Sequence, residues 1–452
     1  MKHLFTLLLV GAFAASAAET ELPKSGPLTI DLATALQLAG ARNPEIARAR
    51  EAVAQANSQL RQKRYLLIPA ITVGASVEHH DGPLQESSGR IRSVSRTSAN
   101  FGAGAGAVAA GPVAAPGLAL SLNLADAWFE PLVARQNRKA IEAARDALGN
   151  AILQQTAEGY LELVRAAAKV RATAEAATNA GELARLTGDF ARSGEGLESD
   201  AQRAEVEKLI QDRELEQARE AEAIAAARLA ALLHLDAEVT LVPADTEVAP
   251  LTVTEPDRQL GELIATALQS RPELKQGAAH VRAAADRLRQ SRLTPWIPNV
   301  AVGASAGGFG GGVGGGVGNV GGRTDVTALA FWRLEGFGLT QAERTRERKS
   351  EMIQSEFARQ GAVDQVIAEV RQAHAQVESR RRQLTIAERT VAAARSSFEL
   401  NRTRIFEKQG LPIEVLQAIQ SLARARVLYV DTVTDFNAAQ YRLQAALGNV
   451  AD

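Results

Sequence analysis

The residues able to do chemistry are few, and their spacing argues against a catalytic centre. The 452-residue chain has six histidines. Two of them, His79 and His80, are adjacent and precede Asp81. On a strand, neighbours point to opposite faces, so these two rings diverge and do not share an ion. They are read as a strand end or loop at an outer surface. His234, His280 and His374 stand alone. There is no cysteine, which excludes disulfides, thiolate metal sites, cysteine nucleophiles and a lipid-modified N-terminal cysteine. No serine-nucleophile, zinc-protease or phosphate-loop motif occurs. No catalytic, cofactor-binding or metal residue is expected, and no cofactor.

The acids worth following are Asp200 and Glu414, each just beyond a glycine-containing turn. Two kinds of chemistry are open to them. They can favour the N-terminus of a helix through its dipole. They can also line a narrow aperture, where acidic rings favour cations and raise one another's pKa. Arg380-Arg381-Arg382 interrupts an apolar stripe; it reads as a solvated face or as a belt of charge.

The elements that carry these residues occur twice. Pro44-Glu45 recurs at Pro272-Glu273, 228 residues on, and Ile68-Pro69 recurs at Ile297-Pro298, 229 on. Gly196-Leu197 matches Gly410-Leu411 at an interval of 214. A repeat of about half the chain is a duplicated domain rather than a solenoid. The first repeat is set at 28–242, a Pro-rich linker at 243–256 and the second repeat at 257–448.

Within each repeat the pattern changes period. Residues 31–66 read as helix, with Asp31 as N-cap and a break at Pro44. Alternation of apolar and small or polar residues marks strands at about 69–79 and 118–125, and at 298–306 and 325–333 in the second repeat. The stretch 101–111 reads equally as strand or loop. Long helices follow, about 126–192 and 338–409, then shorter ones, 197–234 and up to 447. Val363, Val366, Val370, Ala373, Val377, Leu384, Ala387, Val391, Ala394, Phe398 and Ile405 form a three-four seam, so coiled-coil packing is expected there. A helix of about 65 residues spans roughly 100 Å and matches two shorter ones laid end to end. The glycine tract 307–322 has no assigned role.

Net charge of -1 gives no bulk case for nucleic acid. Residues 1–17 read as a secretory signal, with a positive start, an apolar core and Ala15-Ser16-Ala17 before cleavage. No later stretch is long and apolar enough for a membrane-crossing helix. Four strands in lipid leave open edges, so they need strands from other copies.

This arrangement resembles the outer-membrane efflux protein family, the TolC-like channels. The resemblance is carried by LTIDLATALQLAGARNPEI at 28–46, IPAITVGAS at 68–76, LALSLNLADAWFEP at 118–131, RPEL at 271–274, IPNVAVGAS at 297–305, WRLEGFG at 332–338 and GLPIEVLQAIQSLARAR at 410–426. It implies a mostly α fold with a membrane β-barrel: a homotrimer whose subunits each give four strands to one 12-stranded barrel, above a coiled-coil helical tunnel in the periplasm. It implies outer-membrane lipid, a periplasmic adaptor and, through it, an inner-membrane pump as partners. It implies a passive duct and not an enzyme. Gly194, Gly196, Leu197, Asp200, Gly410, Leu411, Glu414 and Val415 would form the periplasmic tip, docking an adaptor or narrowing the pore. Trp128, Trp296 and Trp332, near strand–helix boundaries, are membrane-interface candidates. Type I protein secretion, or a periplasmic coiled-coil adaptor or scaffold without a barrel, are the alternative roles.

Overall fold

The computed structural model describes residues 26–68, 72–104, 118–245, 247–253, 258–332, 335–407 and 409–448. The expected signal segment, 1–17, lies outside the described residues, as do 69–71 of the first expected strand, 105–111 of the stretch that reads as strand or loop, 254–256 of the linker and 333 of the last expected strand.

Eight helices account for most of the described chain: α1 (Leu32–Arg42), α2 (Pro44–Arg64), α3 (Leu124–Arg192), α4 (Glu198–Leu232), α5 (Leu260–Ser270), α6 (Pro272–Leu293), α7 (Leu339–Phe406) and α8 (Pro412–Leu447). Asp31 caps α1 as its position implies: its Oδ1 accepts the Thr34 amide at 2.7 Å. Hydrogen bonds from Thr34 hold its carboxyl below the ordinary 3.8. Pro44 and Pro272 break the helical runs rather than bend them. Asn43 (ψ 120) and Arg271 (ψ 122) are pushed out of the helical region, the conformation a following proline imposes.

The chain divides into two compact units. The first holds residues up to 43, 155–251 and 380–438. Two short strands, β1 (Gly26–Ile30) and β5 (Val239–Pro243), pair in parallel there, from Gly26 opposite Val239 to Ile30 opposite Pro243. Ile30, Leu241, Tyr160, Leu163 and Leu229 are buried around them. The Tyr160 hydroxyl donates to Asp245 at 2.6 Å. Helix contacts in this unit rest on small residues: Ala157, Ala166, Ala167, Ala176 and Ala180 of α3 are all buried, which lets backbones approach closely. Arg165 reaches Asp435 at 2.5 Å, Lys169 reaches Asp431 at 2.8 Å and Arg380 reaches Asp435 at 3.1 Å. Arg380 therefore ties α7 to α8 rather than only facing solvent.

The second unit holds 44–154, 252–379 and 439 onward. Its sheet contains β2 (Thr72–Gln85), β3 (Ile91–Gly104), β4 (Leu118–Asn123), β6 (Asn299–Val313) and β7 (Gly321–Phe331). All pairings are antiparallel. Gly104 of β3 stands opposite Ser305, and Leu118 of β4 opposite Ala304. β3 and β4 thus occupy one line along β6, and five strands make four columns. All four expected strands need correction: β2 runs on to Gln85 and β6 to Val313, past the expected ends at 79 and 306. The expected strand 118–125 stops at Asn123, because Asn123 caps α3: its Oδ1 accepts the Asp126 amide at 3.1 Å. Most of its column is β3, which ends at Gly104, inside the stretch 101–111 that reads equally as strand or loop. The expected strand 325–333 begins earlier, at Gly321.

The linker is pinned to α8. Within the first unit, Asn437 accepts the Leu251 amide at 2.8 Å and donates to the Ala249 carbonyl at 2.9 Å. Within the second, Gln440 accepts the Val253 amide at 2.9 Å. These contacts explain why Asn437 and Gln440 are buried on an otherwise apolar helix face.

Candidate functional site

In the first unit, the turns ending α3 and α7 repeat one geometry. The amides of Glu195 and Gly196 both donate to the Phe190 carbonyl at 2.9 Å. The amides of Gln409 and Gly410 both donate to the Arg404 carbonyl, at 2.8 and 3.1 Å. Every partner shifts by 214 residues. The glycines are needed here for space. A Cβ on Gly196 would meet Phe190 Cβ at 2.9 Å, and one on Gly410 would meet Arg404 Cβ and the Ile405 amide nitrogen at 3.1 Å. Gly194 has a different role: its φ of +75 lies in the left-handed region.

Beneath the turns, four helix ends share one core. Leu183, Ala204, Phe398, Ile405, Val415, Ala418, Ile419 and Leu422 are buried together. The expected tip set therefore splits. Leu197 and Leu411 are 67% and 61% exposed, whereas Val415 is 3% exposed and belongs to the core. Glu414 stands 3.5 Å from the Leu411 amide and 3.4 Å from Arg404, a capping contact at the start of α8. Asp200, in the first turn of α4, lies 3.7 Å from Arg203. Arg402 bridges the two hairpins by reaching Glu182 at 3.0 Å.

In the second unit, the strand pleat separates two chemistries. One face carries Ala75, Val77, Ala99, Phe101, Val326 and Ala328; the other carries Ser76, Glu78, His80, Arg96, Ser98 and Asn100. Val77 and Val326 are 71% and 77% exposed. His79 is on the apolar side, beyond its apolar band, and His80 is opposite, as their adjacency requires. The His79 ring nitrogen lies 2.8 Å from Thr97 Oγ1, which donates to the Gly314 carbonyl at 2.8 Å. These residues hold a turn and do not face a common ion. Among the described residues no group of three or more His, Asp or Glu is placed to hold a metal.

The glycine tract has a packing role that composition did not reveal. A Cβ on Gly308 would fall 2.5 Å from the Phe101 ring, and one on Gly310 would fall 2.6 Å from Val320. The tract lets a ring and the β6–β7 turn lie flat on the strand. Trp128, Trp296 and Trp332 are exposed at the end of the sheet where strands become helices. Trp332 Nε1 donates to the Trp296 carbonyl at 3.4 Å.

Residues 263–449 match the family model described as outer membrane efflux protein. A sequence search of curated proteins finds no match. Solved structures match over nearly the whole chain. CusC, described by its conformational changes on folding and transmembrane channel formation, is 17% identical with a TM-score of 0.76, covering 92% of each chain. The outer-membrane channel OprN is 17% identical with a TM-score of 0.75, covering 92% of this chain and 90% of its own. VceC, an outer-membrane protein of Vibrio cholerae, is 16% identical with a TM-score of 0.73, covering 93% and 97%.

Proposed function

We propose that this chain, of which residues 263–449 match the outer membrane efflux protein model and whose fold is similar to that of outer-membrane channels, is the passive exit duct of a tripartite efflux pump. It is a conduit and not an enzyme. The sheet spans the outer membrane and the helices stand in the periplasm. An inner-membrane transporter supplies the energy, and a periplasmic adaptor joins the two.

The observation that carries this reading is the two-faced sheet. Its exposed apolar side suits lipid, and its polar side suits a water-filled lumen. Among the described residues, β2 and β7 each leave an open edge, and unpaired edge amides are costly in hydrocarbon. Three copies of four columns would close a 12-stranded barrel. The helices offer a matching seam: Ile386, Ala393 and Leu400 of α7 are exposed at heptad spacing, a stripe a second copy would cover.

In the first unit, the paired turns with exposed Leu197 and Leu411 are the surface offered to the adaptor. Removing the chain from cells should abolish efflux of a preloaded fluorescent dye, and restoring it should bring efflux back. Unchanged dye efflux with selective loss of one secreted protein would favour type I secretion instead.

A further inference from the structure

The helical belt beneath the sheet carries a positive charge that the chain as a whole, at a net charge of -1, lacks. Four stretches meet the sheet at one end: 57–68 closing α2, 124–135 opening α3, 285–296 closing α6 and 339–350 opening α7. Asn123 pairs with Asn299, and Asn299 with Phe331, which brings the last three level. Lys63 reaches Glu130 at 2.9 Å, and Gln290 donates to Asp126 at 2.8 Å. These stretches hold eleven Lys and Arg against five Asp and Glu, in a chain of net charge -1.

Several of these cations are paired. Arg289 pairs with Asp286 and Arg346 with Glu343 inside the belt, and Arg348 pairs with Glu351 just past its edge. Arg64, Arg135, Arg292 and Lys349 are exposed and have no ion-pair partner among the described residues. Each comes from a different helix. Arg64 and Arg292 are 228 apart, the interval from Pro44 to Pro272. Arg135 and Lys349 are 214 apart, the interval from Gly196 to Gly410. Equivalent positions in both repeats are therefore cationic. The helix dipole accounts for cations closing α2 and α6, but not for Arg135 and Lys349, which lie about three turns into α3 and α7.

Beside them stand exposed rings. Trp128 and Trp296 are 71% and 79% exposed, and Phe337 is fully exposed. Phe337 has φ 55 and ψ 28, a conformation that strains a residue with a side chain. No burial repays that strain. Aromatic rings favour the boundary between lipid and water, and clustered cations favour anionic headgroups.

We propose that this belt binds the anionic phospholipid headgroups of the leaflet facing the helices, with Phe337 seated in its boundary. The proposal rests on reading the sheet as part of a membrane barrel. Arg64 and Arg292 form the nearer row. Arg135 lies five residues past Glu130, about 7 Å lower along its helix, close to one Debye length.

The test uses the purified full chain with vesicles of phosphatidylcholine alone, or of phosphatidylcholine and phosphatidylglycerol in equal parts. Insertion is expected into both, with association about tenfold stronger to the anionic vesicles, a ratio that shrinks in high salt. R64Q/R292Q should remove most of the ratio and R135Q/K349Q less. R64K/R292K should keep it. Phe337→Ser should weaken association with both vesicles alike. Equal association with both vesicles, or a ratio unchanged in R64Q/R292Q, would overturn the lipid proposal and leave the duct standing. Failure to insert into either vesicle would overturn both.

Discussion

At Gly196 and Gly410 the missing side chain is the feature that matters. Both hairpins close by laying the turn against the last helical turn, and a methyl group has nowhere to go. Gly196→Ala should cost about 1–3 kcal/mol, more than Gly410→Ala, because its Cβ contact is the closer at 2.9 against 3.1 Å. Gly194→Ala should cost about 1–2 kcal/mol through backbone strain alone. Thermal unfolding of the three variants checks this order. Tyr160 offers a pH test. Burial, then its bond to Asp245, holds the phenol well above its ordinary 10.0. A raised folded pKa means that stability is full below pH 10.0 and falls as the unfolded phenol ionises above it. Tyr160→Phe should cost about 1 kcal/mol at neutral pH and flatten that alkaline loss, read by urea titration at several pH values. The turn glycines were legible because their interval matches a repeat. The split between exposed Leu411 and buried Val415 was not, since one sequence does not say which side of a helix start faces its core.

Elements with a strong period were legible, and those defined by distant partners were not. The breaks at Pro44 and Pro272 and the seam along α7 follow from local rules. Val366, Val370, Ala373 and Val377 are buried as their spacing requires. β1 and β5 are five residues each and pair across more than 200 positions, too short to show a period. β3 shows no clear period because half of its 14 residues are serine, arginine or glycine; its pairing with β6 depends on glycines that admit Phe101. Gly308→Val should therefore disrupt the sheet, and Phe101→Ala should relieve it. A double variant that assembles no better than Gly308→Val alone would refute that packing role. On α7, Ile386→Asp with Leu400→Asp should spare helix content and weaken self-association, read by circular dichroism and cross-linking.

At the scale of the molecule, duplication organises everything else. Each repeat supplies two columns of sheet, a turn of the same hydrogen-bond pattern and the same pair of unpaired cations. The open edges and apolar sheet face are what the proposed closure with other copies in lipid would cover. Fractionation of cells, followed by gel analysis of the unheated and heated outer membrane, asks this directly. A passive outer-membrane duct predicts a trimer in the outer-membrane fraction that separates into single chains on heating. A soluble periplasmic monomer, unchanged by heating, would contradict it.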